Sequence, residues 1–229
     1  MFGEVTADLG GLTLSGGARL DHCRISDGKL VERVIATGAL LRQDRYPGRS
    51  GWLPTARAGA VLEAGDRLSL RSAAYLSWRM PTLNELFRPF RAGADATAAN
   101  PLLEPERLAG AEIGAQYERG ALSLSATVFV NRLSDAIGNV TLGQGPGIFP
   151  GVGFVGEGGA YRQRQNLDAV RVHGLESAAE VVGGPFTLRI GTSLTRAKIR
   201  SDGPATELSG LRPAQTPRLV LNGGLSWED

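Results

Sequence analysis

The sequence predicts an all-β protein, an antiparallel up-and-down transmembrane β-barrel segment of about eight or nine strands. Three observations predict it. Long segments alternate apolar and polar residues with a period of two. The connections between them alternate between tight and long. Large aromatic residues fall on the apolar side near segment ends.

The first segment, 12–25, places Leu12, Leu14, Gly16, Ala18 and Leu20 on one face and Thr13, Ser15, Arg19 and Asp21 on the other. Residues 1–9 read as the end of a strand before it. Residues 54–64 make a second segment. In 67–80, Leu68, Leu70, Ala74, Leu76 and Trp78 oppose Ser69, Arg71, Tyr75 and Ser77. In 106–118, Ala109, Ala111, Ile113, Ala115 and Tyr117 oppose Gly110, Glu112, Gly114 and Gln116. In 121–140, Leu122, Leu124, Ala126, Val128 and Val130 oppose Ser123, Ser125, Thr127 and Asn131. Residues 161–182, 185–200 and 213–227 complete the set, with Phe186, Leu188, Ile190 and Leu194 on one apolar face and Leu219, Leu221, Leu225 and Trp227 on another. Many of these runs reach about 10 residues, the length of a tilted membrane-spanning strand. Strands of soluble domains average about five or six.

The tight connections are Glu63–Asp66, Glu118–Ala121 and Val182–Pro185, each carrying glycine as a hairpin turn requires. The long ones are residues 26–53, 81–105, 141–160 and 201–212. Short periplasmic turns and long extracellular loops are the pattern of an outer-membrane barrel. An alternating stretch near Val31 to Leu41 predicts a hairpin within the first long loop. Tyr117, Phe186 and Trp227 lie near the tight-turn end and Trp78 near the other, as two interfacial girdles require.

Segment 161–182 breaks the alternation. Val170 and Val172 share the milder side before Gly174, and Leu175, Ser177, Ala179 and Val181 share it afterwards. A β-bulge at Gly174 would restore the phase, sending Glu176 and Glu180 into the lumen with His173 also on the polar side.

Composition excludes several classes. There are 32 glycines among 229 residues, about twice the usual ~7%. No apolar run approaches the roughly 20 residues of a membrane-spanning helix. Net charge is +2, from 25 basic and 23 acidic residues scattered along the chain, so no nucleic-acid footprint is expected. Cys23 stands alone and has no disulfide partner in the chain.

At the second long loop a resemblance emerges. Ser77-Trp-Arg-Met-Pro-Thr-Leu-Asn-Glu-Leu86 and Ala99-Asn-Pro-Leu-Leu-Glu-Pro-Glu106 resemble the paired loop signature of TonB-dependent receptors. Thr13-Leu-Ser-Gly-Gly-Ala-Arg-Leu-Asp21, Thr127–Ile137, Gln165-Asn-Leu167 and Val172-His-Gly-Leu-Glu176 fit the same pattern, so the likeness spans nearly the whole chain. Pro81 removes a donor where a ladder must stop, and Pro101 and Pro105 hold the preceding residues extended. The resemblance implies a 22-stranded barrel with a plugged lumen. It implies a bacterial outer-membrane transporter that imports a scarce nutrient of the ferric siderophore, haem or cobalamin class with energy from TonB. Residues 1–229 then form part of the β-barrel domain, and the plug domain and signal peptide are not recognisable in them. The expected partners are the TonB complex, a small-molecule nutrient and outer-membrane lipid.

Catalytic signals are weak. His22 and His173 have no acidic or cysteine companions at ligand spacing, and Gly143-Gln-Gly-Pro-Gly147 precedes no helix, so neither a metal nor a phosphate cradle is expected. No enzyme and no cofactor is expected. A barrel hydrolase using His22 or His173 and a passive porin are the alternative classes. Arg88 and Arg91, in Phe87-Arg-Pro-Phe-Arg91, and Arg162 and Arg164, in Tyr161-Arg-Gln-Arg164, are the candidate contacts for an anionic ligand.

Overall fold

A computed structural model describes residues 1–228. Nine strands form one antiparallel path: β1 (Phe2–Asp8), β2 (Leu12–Ile25), β3 (Arg49–Glu63), β4 (Leu68–Arg79), β5 (Glu106–Arg119), β6 (Leu122–Gln144), β7 (Ala160–Gly183), β8 (Phe186–Arg200) and β9 (Leu219–Trp227). Each pairs with its neighbour in sequence, and β1 and β9 are the open edges. Tight connections join β1–β2, β3–β4, β5–β6 and β7–β8. Gly120 and Gly184 take φ of +57° in the two-residue turns that close β5–β6 and β7–β8, a conformation that glycine adopts at no steric cost.

The two faces follow from the register. Rows such as Leu70↔Ala115↔Ala126↔Ser177 and Ser72↔Ile113↔Val128↔Leu175↔Leu194↔Leu219 lie on the apolar face. Arg71↔Gly114↔Thr127↔Glu176↔Ser193 lies on the polar face, where Arg71 Nη2 donates to Thr127 Oγ1 at 2.8 Å. Tyr75 Oη donates to Asn131 Oδ1 at 2.8 Å two rows of that face higher, and Arg189 pairs with Glu180 at 2.6 Å near the turns.

The accessible surface is 14771 Å², against roughly 10,000 Å² for a compact monomer of 24.1 kDa. The excess reflects a single sheet with both faces open, and on the apolar face Ile113, Val128, Ile190, Leu221 and Leu225 are among the large residues left exposed. At about 25 cal/mol per Å² such a face is strongly unfavourable in water. The 229-residue chain expressed alone is therefore expected to aggregate in plain buffer and to dissolve only with detergent or lipid. A monomer in gel filtration that unfolds cooperatively without either would contradict the assignment of this face.

Buried side chains gather at the end opposite the tight turns. Ala136, Val140, Leu167, Ile199 and Ala205 form one cluster, backed by Leu133, Val170 and Leu208. Ala96, Ala98, Val155 and Tyr161 form another. The long connections are folded: hairpin Gly28–Arg33 with Leu40–Tyr46, helix α1 (Leu83–Phe87), hairpin Phe90–Ala92 with Asp95–Ala98, hairpin Gly147–Phe149 with Gly153–Val155, and a 3₁₀ turn at Gly203–Leu208.

Three sequence expectations change. β3 starts at Arg49 and runs through Pro54, because above Ala56 it pairs only with β2 and is an edge there. β9 starts at Leu219 instead of 213; Pro213 and Pro217 lack the N–H a ladder needs. The bulge expected at Gly174 is absent. The ladder with β6 keeps one offset from Leu122↔Val181 to Thr141↔Arg162, and the ladder with β8 is equally unbroken. Val172 and Glu176 share the polar face. Glu176 and Glu180 point to that side as expected, but Arg171 and His173 stand on the opposite, outer face. The phase reverses higher up, at Asp135, where φ is +57° and where Leu133 and Ala136 enter the same cluster. Asp tolerates this left-handed conformation better than most residues.

Candidate binding site in the loop cap

The two loop motifs converge on one arginine. Arg79, the last residue of β4, pairs with Glu85 at 3.1 Å and with Glu106 through a short contact. Thr82 caps α1: its Oγ1 accepts the Glu85 N–H at 3.2 Å, and Glu85 Oε2 accepts the Thr82 N–H at 2.7 Å, a capping box. Burial pushes the Glu85 carboxyl up, but Arg79 and the Thr82 backbone and hydroxyl outweigh it and hold the carboxyl below the usual carboxylate range. Glu106 Oε1 accepts the Ile137 N–H at 2.7 Å, which fastens the return strand to β6. Leu86 and Leu103, one from each motif, are fully buried. Asn100 Nδ2 donates to the Arg164 carbonyl at 2.9 Å, and Asn166 donates to the Glu104 carbonyl at 3.0 Å while accepting the Glu104 N–H at 2.8 Å. The motifs thus form a clamp between the second long loop and β7.

Three of the four arginines singled out from the sequence hold loops together. Arg162 pairs with Asp95 at 2.7 Å. The Ala160 N–H and the Arg162 guanidinium keep the Asp95 carboxyl below its ordinary range. Arg164 Nη1 donates to the Asn84 and Arg88 carbonyls at 2.8 and 3.0 Å. Arg91 Nη2 donates to the Phe154 carbonyl at 2.8 Å and makes a short contact with that of Val152. Arg88 is exposed at the end of α1 and makes no side-chain ion pair among the described residues.

Sequence reasoning missed the hairpin arginine that joins them. Arg42, Asp44 and Tyr46 are half-buried on one face of the strand Leu40–Tyr46. Arg42 pairs with Asp44 and donates to the Gly151 carbonyl at 2.8 Å. Tyr46 stacks on Phe87 at 4.8 Å. The alternation Arg42-Gln-Asp-Arg-Tyr46 carried this signal. Two cavities, of about 500 and 510 Å³, flank Arg42 and share Pro89 and Gly151. The first is lined by Arg45, Tyr46 and Gln163 as well, the second by Glu32 and Arg91. Cavities of this size suit small-molecule ligands. His22 meets Trp52 in a tilted ring pair at 4.8 Å on the apolar face and His173 sits five strands away, so the structure does not gather the histidines into one site.

A long-stranded antiparallel sheet, apolar on one face, polar on the other and capped by packed loops at one end, is the architecture of a membrane β-barrel wall. The family comparison makes this specific. The model described as TonB dependent receptor-like, beta-barrel, matches residues 1–229, and the chain belongs to that family. Solved structures share the fold. The copper transporter OprC is similar at TM-score 0.73 and 22% identity, over 100% of this chain and 32% of its own. The Serratia marcescens hemophore receptor HasR, solved with its hemophore HasA and heme, gives 0.67 and 21%, over 86% and 33%. The Neisseria meningitidis iron transporter FrpB gives 0.61 and 20%, over 91% and 27%. The chain thus spans about a third or less of these structures. Comparison with curated protein sequences gives no match.

Proposed function

We propose that this chain supplies part of the outer-membrane barrel of an active transporter, one that binds a scarce nutrient and imports it with energy received from TonB. The observation that carries this reading is the pair of cavities around Arg42 in the loop cap, at the end of a wall whose inner face is polar. Their volume lies in the range of small-molecule sites, and the ligand proposed is a nutrient of the ferric siderophore, haem or cobalamin class. The tight turns face the periplasm and the cap faces the exterior.

Arg88 offers an unpaired guanidinium beside the cap and Arg91 lines one cavity, so these two are the proposed direct contacts to an anionic ligand. Arg162 and Arg164 act on the same site by fixing the loops around it. The hydrolase and porin classes have no comparable arrangement to support them.

An uptake screen of the intact receptor tests this. Cells dependent on it are offered ferric siderophores, haem and cobalamin in turn. Accumulation of one of them is expected, and is expected to stop in cells lacking TonB. The Arg88→Gln and Arg91→Gln variants should weaken binding of that ligand by roughly tenfold each, the loss of one charge-assisted contact. Uptake that continues without TonB would instead mark a passive channel.

A further inference from the structure

The apolar face ends abruptly in positive charge. Phe186 lies in the row nearest the tight turn, and Arg196 lies ten residues further along β8. Ten residues span about 33 Å along a strand. At a tilt of 35–45° this is roughly 25 Å of height, the height of the apolar band of a membrane barrel. Up to that height the rows across β6, β7 and β8 hold no charge: Leu124↔Ala179↔Ile190, Ala126↔Ser177↔Thr192 and Val128↔Leu175↔Leu194. The next two rows are Val130↔His173↔Arg196 and Arg132↔Arg171↔Lys198.

Arg132, Arg171 and Arg196 are exposed and Lys198 is half-buried. Among the described residues none of the four forms an ion pair. Their single side-chain partner is Ser134, whose Oγ accepts from Arg132 Nε at 3.2 Å. Asp168, exposed further along β7, pairs with none of them. Neighbouring strands lie about 4.8 Å apart, so Arg132, Arg171 and Lys198 are brought within roughly 10 Å of one another. Like charges placed directly opposite destabilise a sheet unless an anion neutralises them.

We propose that these residues bind the phosphorylated headgroup of an outer-leaflet lipid, with its acyl chains lying on Val128, Leu175 and Leu194 directly below. The proposal rests on the outer-membrane reading above and adds a ligand on the outside of the wall. Phosphate is the anion that guanidinium forks match bidentately. A lipid is the source that the position selects, because the cations stand at the rim of an apolar band and not in the loop cap. Each basic residue at a membrane surface strengthens anionic-lipid binding by a comparable increment, so three of them are worth far more than one.

The test uses the intact receptor, purified in detergent, and the affinity for diphosphorylated lipid A, for the same lipid with its phosphates removed, and for inorganic pyrophosphate. Arg132→Gln/Arg171→Gln/Arg196→Gln is expected to weaken diphosphorylated lipid A binding by roughly a hundredfold. Removal of the lipid phosphates should do the same to the unmodified receptor, a comparison that needs no variant to fold. Arg189→Gln, on the polar face, should bind as the parent does. Pyrophosphate binding as tightly as the lipid would reassign the site to a free anion and overturn the proposal. So would equal binding by the triple variant or of the dephosphorylated lipid. Nutrient uptake by cells carrying the same variants separates the two ideas, since loss of the lipid site leaves the loop cap intact.

Discussion

Gly174→Val is expected to prevent assembly of the barrel. A Cβ at this position would lie 2.4 Å from the Leu194 carbonyl oxygen and 2.6 Å from the Phe129 ring. The ring lies over the glycine from the facing residue of β6, and Gly110 receives Tyr75 in the same manner, its own Cβ position being 2.4 Å from that ring. An aromatic covering a strand glycine is a recognised way of pinning register in a sheet. A ring can rotate aside, but the carbonyl belongs to the β7–β8 ladder and cannot move without breaking it. Gly174→Ala already places the offending atom and should cost about 1–3 kcal/mol, with Val above that range. The folded, heat-resistant form of the intact receptor should be reduced by Ala and lost with Val. Phe129→Ala should not rescue Gly174→Ala, because the carbonyl conflict remains. A Gly174→Val receptor that melts like the parent would refute this packing.

The same glycine marks how far the sequence could be read. Alternation assigned the faces of β2, β4, β5, β6, β8 and β9 correctly, because a strand with lipid on one side and a polar lumen on the other must write both into a period of two. In β7 the parity count found a real break in the pattern and attached it to the wrong cause. Arg171 and His173 point outward without penalty because there the strand has climbed past the apolar band. Above that height both environments are polar and the alternation no longer records a face. The true reversal, at Asp135, leaves no such trace, since a left-handed aspartate looks like any other loop-proximal acid.

The loop cap was legible in part. The hairpin near Val31 to Leu41 and the loop signature Ser77–Leu86 are local patterns. The partners of Arg91, Arg162 and Arg164 are not: Phe154, Asp95 and Asn84 lie 63, 67 and 80 residues away in the chain. Nothing near those arginines in sequence announces that they are already engaged. Arg42 was overlooked for the converse reason. It sits just beyond the stretch read as a hairpin, in a loop read only for its length, and its importance comes from Gly151, 109 residues away.

The second large effect is expected from charge placed on the apolar face, and it should depend on height. Ile190 is four residues above Phe186, about 13 Å along the strand and roughly 10 Å in height, close to the middle of the band. Ile190→Arg should therefore destabilise the intact receptor in a bilayer by roughly 2–4 kcal/mol. Leu194→Arg lies near the rim, two residues below Arg196, and should cost about 0–1 kcal/mol. Ser193→Arg, adjacent in sequence, faces the polar side opposite Glu176 and should change stability by less than about 1 kcal/mol. Reversible unfolding in lipid vesicles measures all three. The order matters more than any single value. A soluble sandwich would bury Ile190 and Leu194 alike against a second sheet and make both arginines similarly damaging. A lipid-facing wall makes the penalty fall with distance from the middle, because an arginine near the rim snorkels to the headgroups. Equal losses at Ile190 and Leu194 would remove the membrane from this face, and with it the reason that the native arginines begin at Arg196.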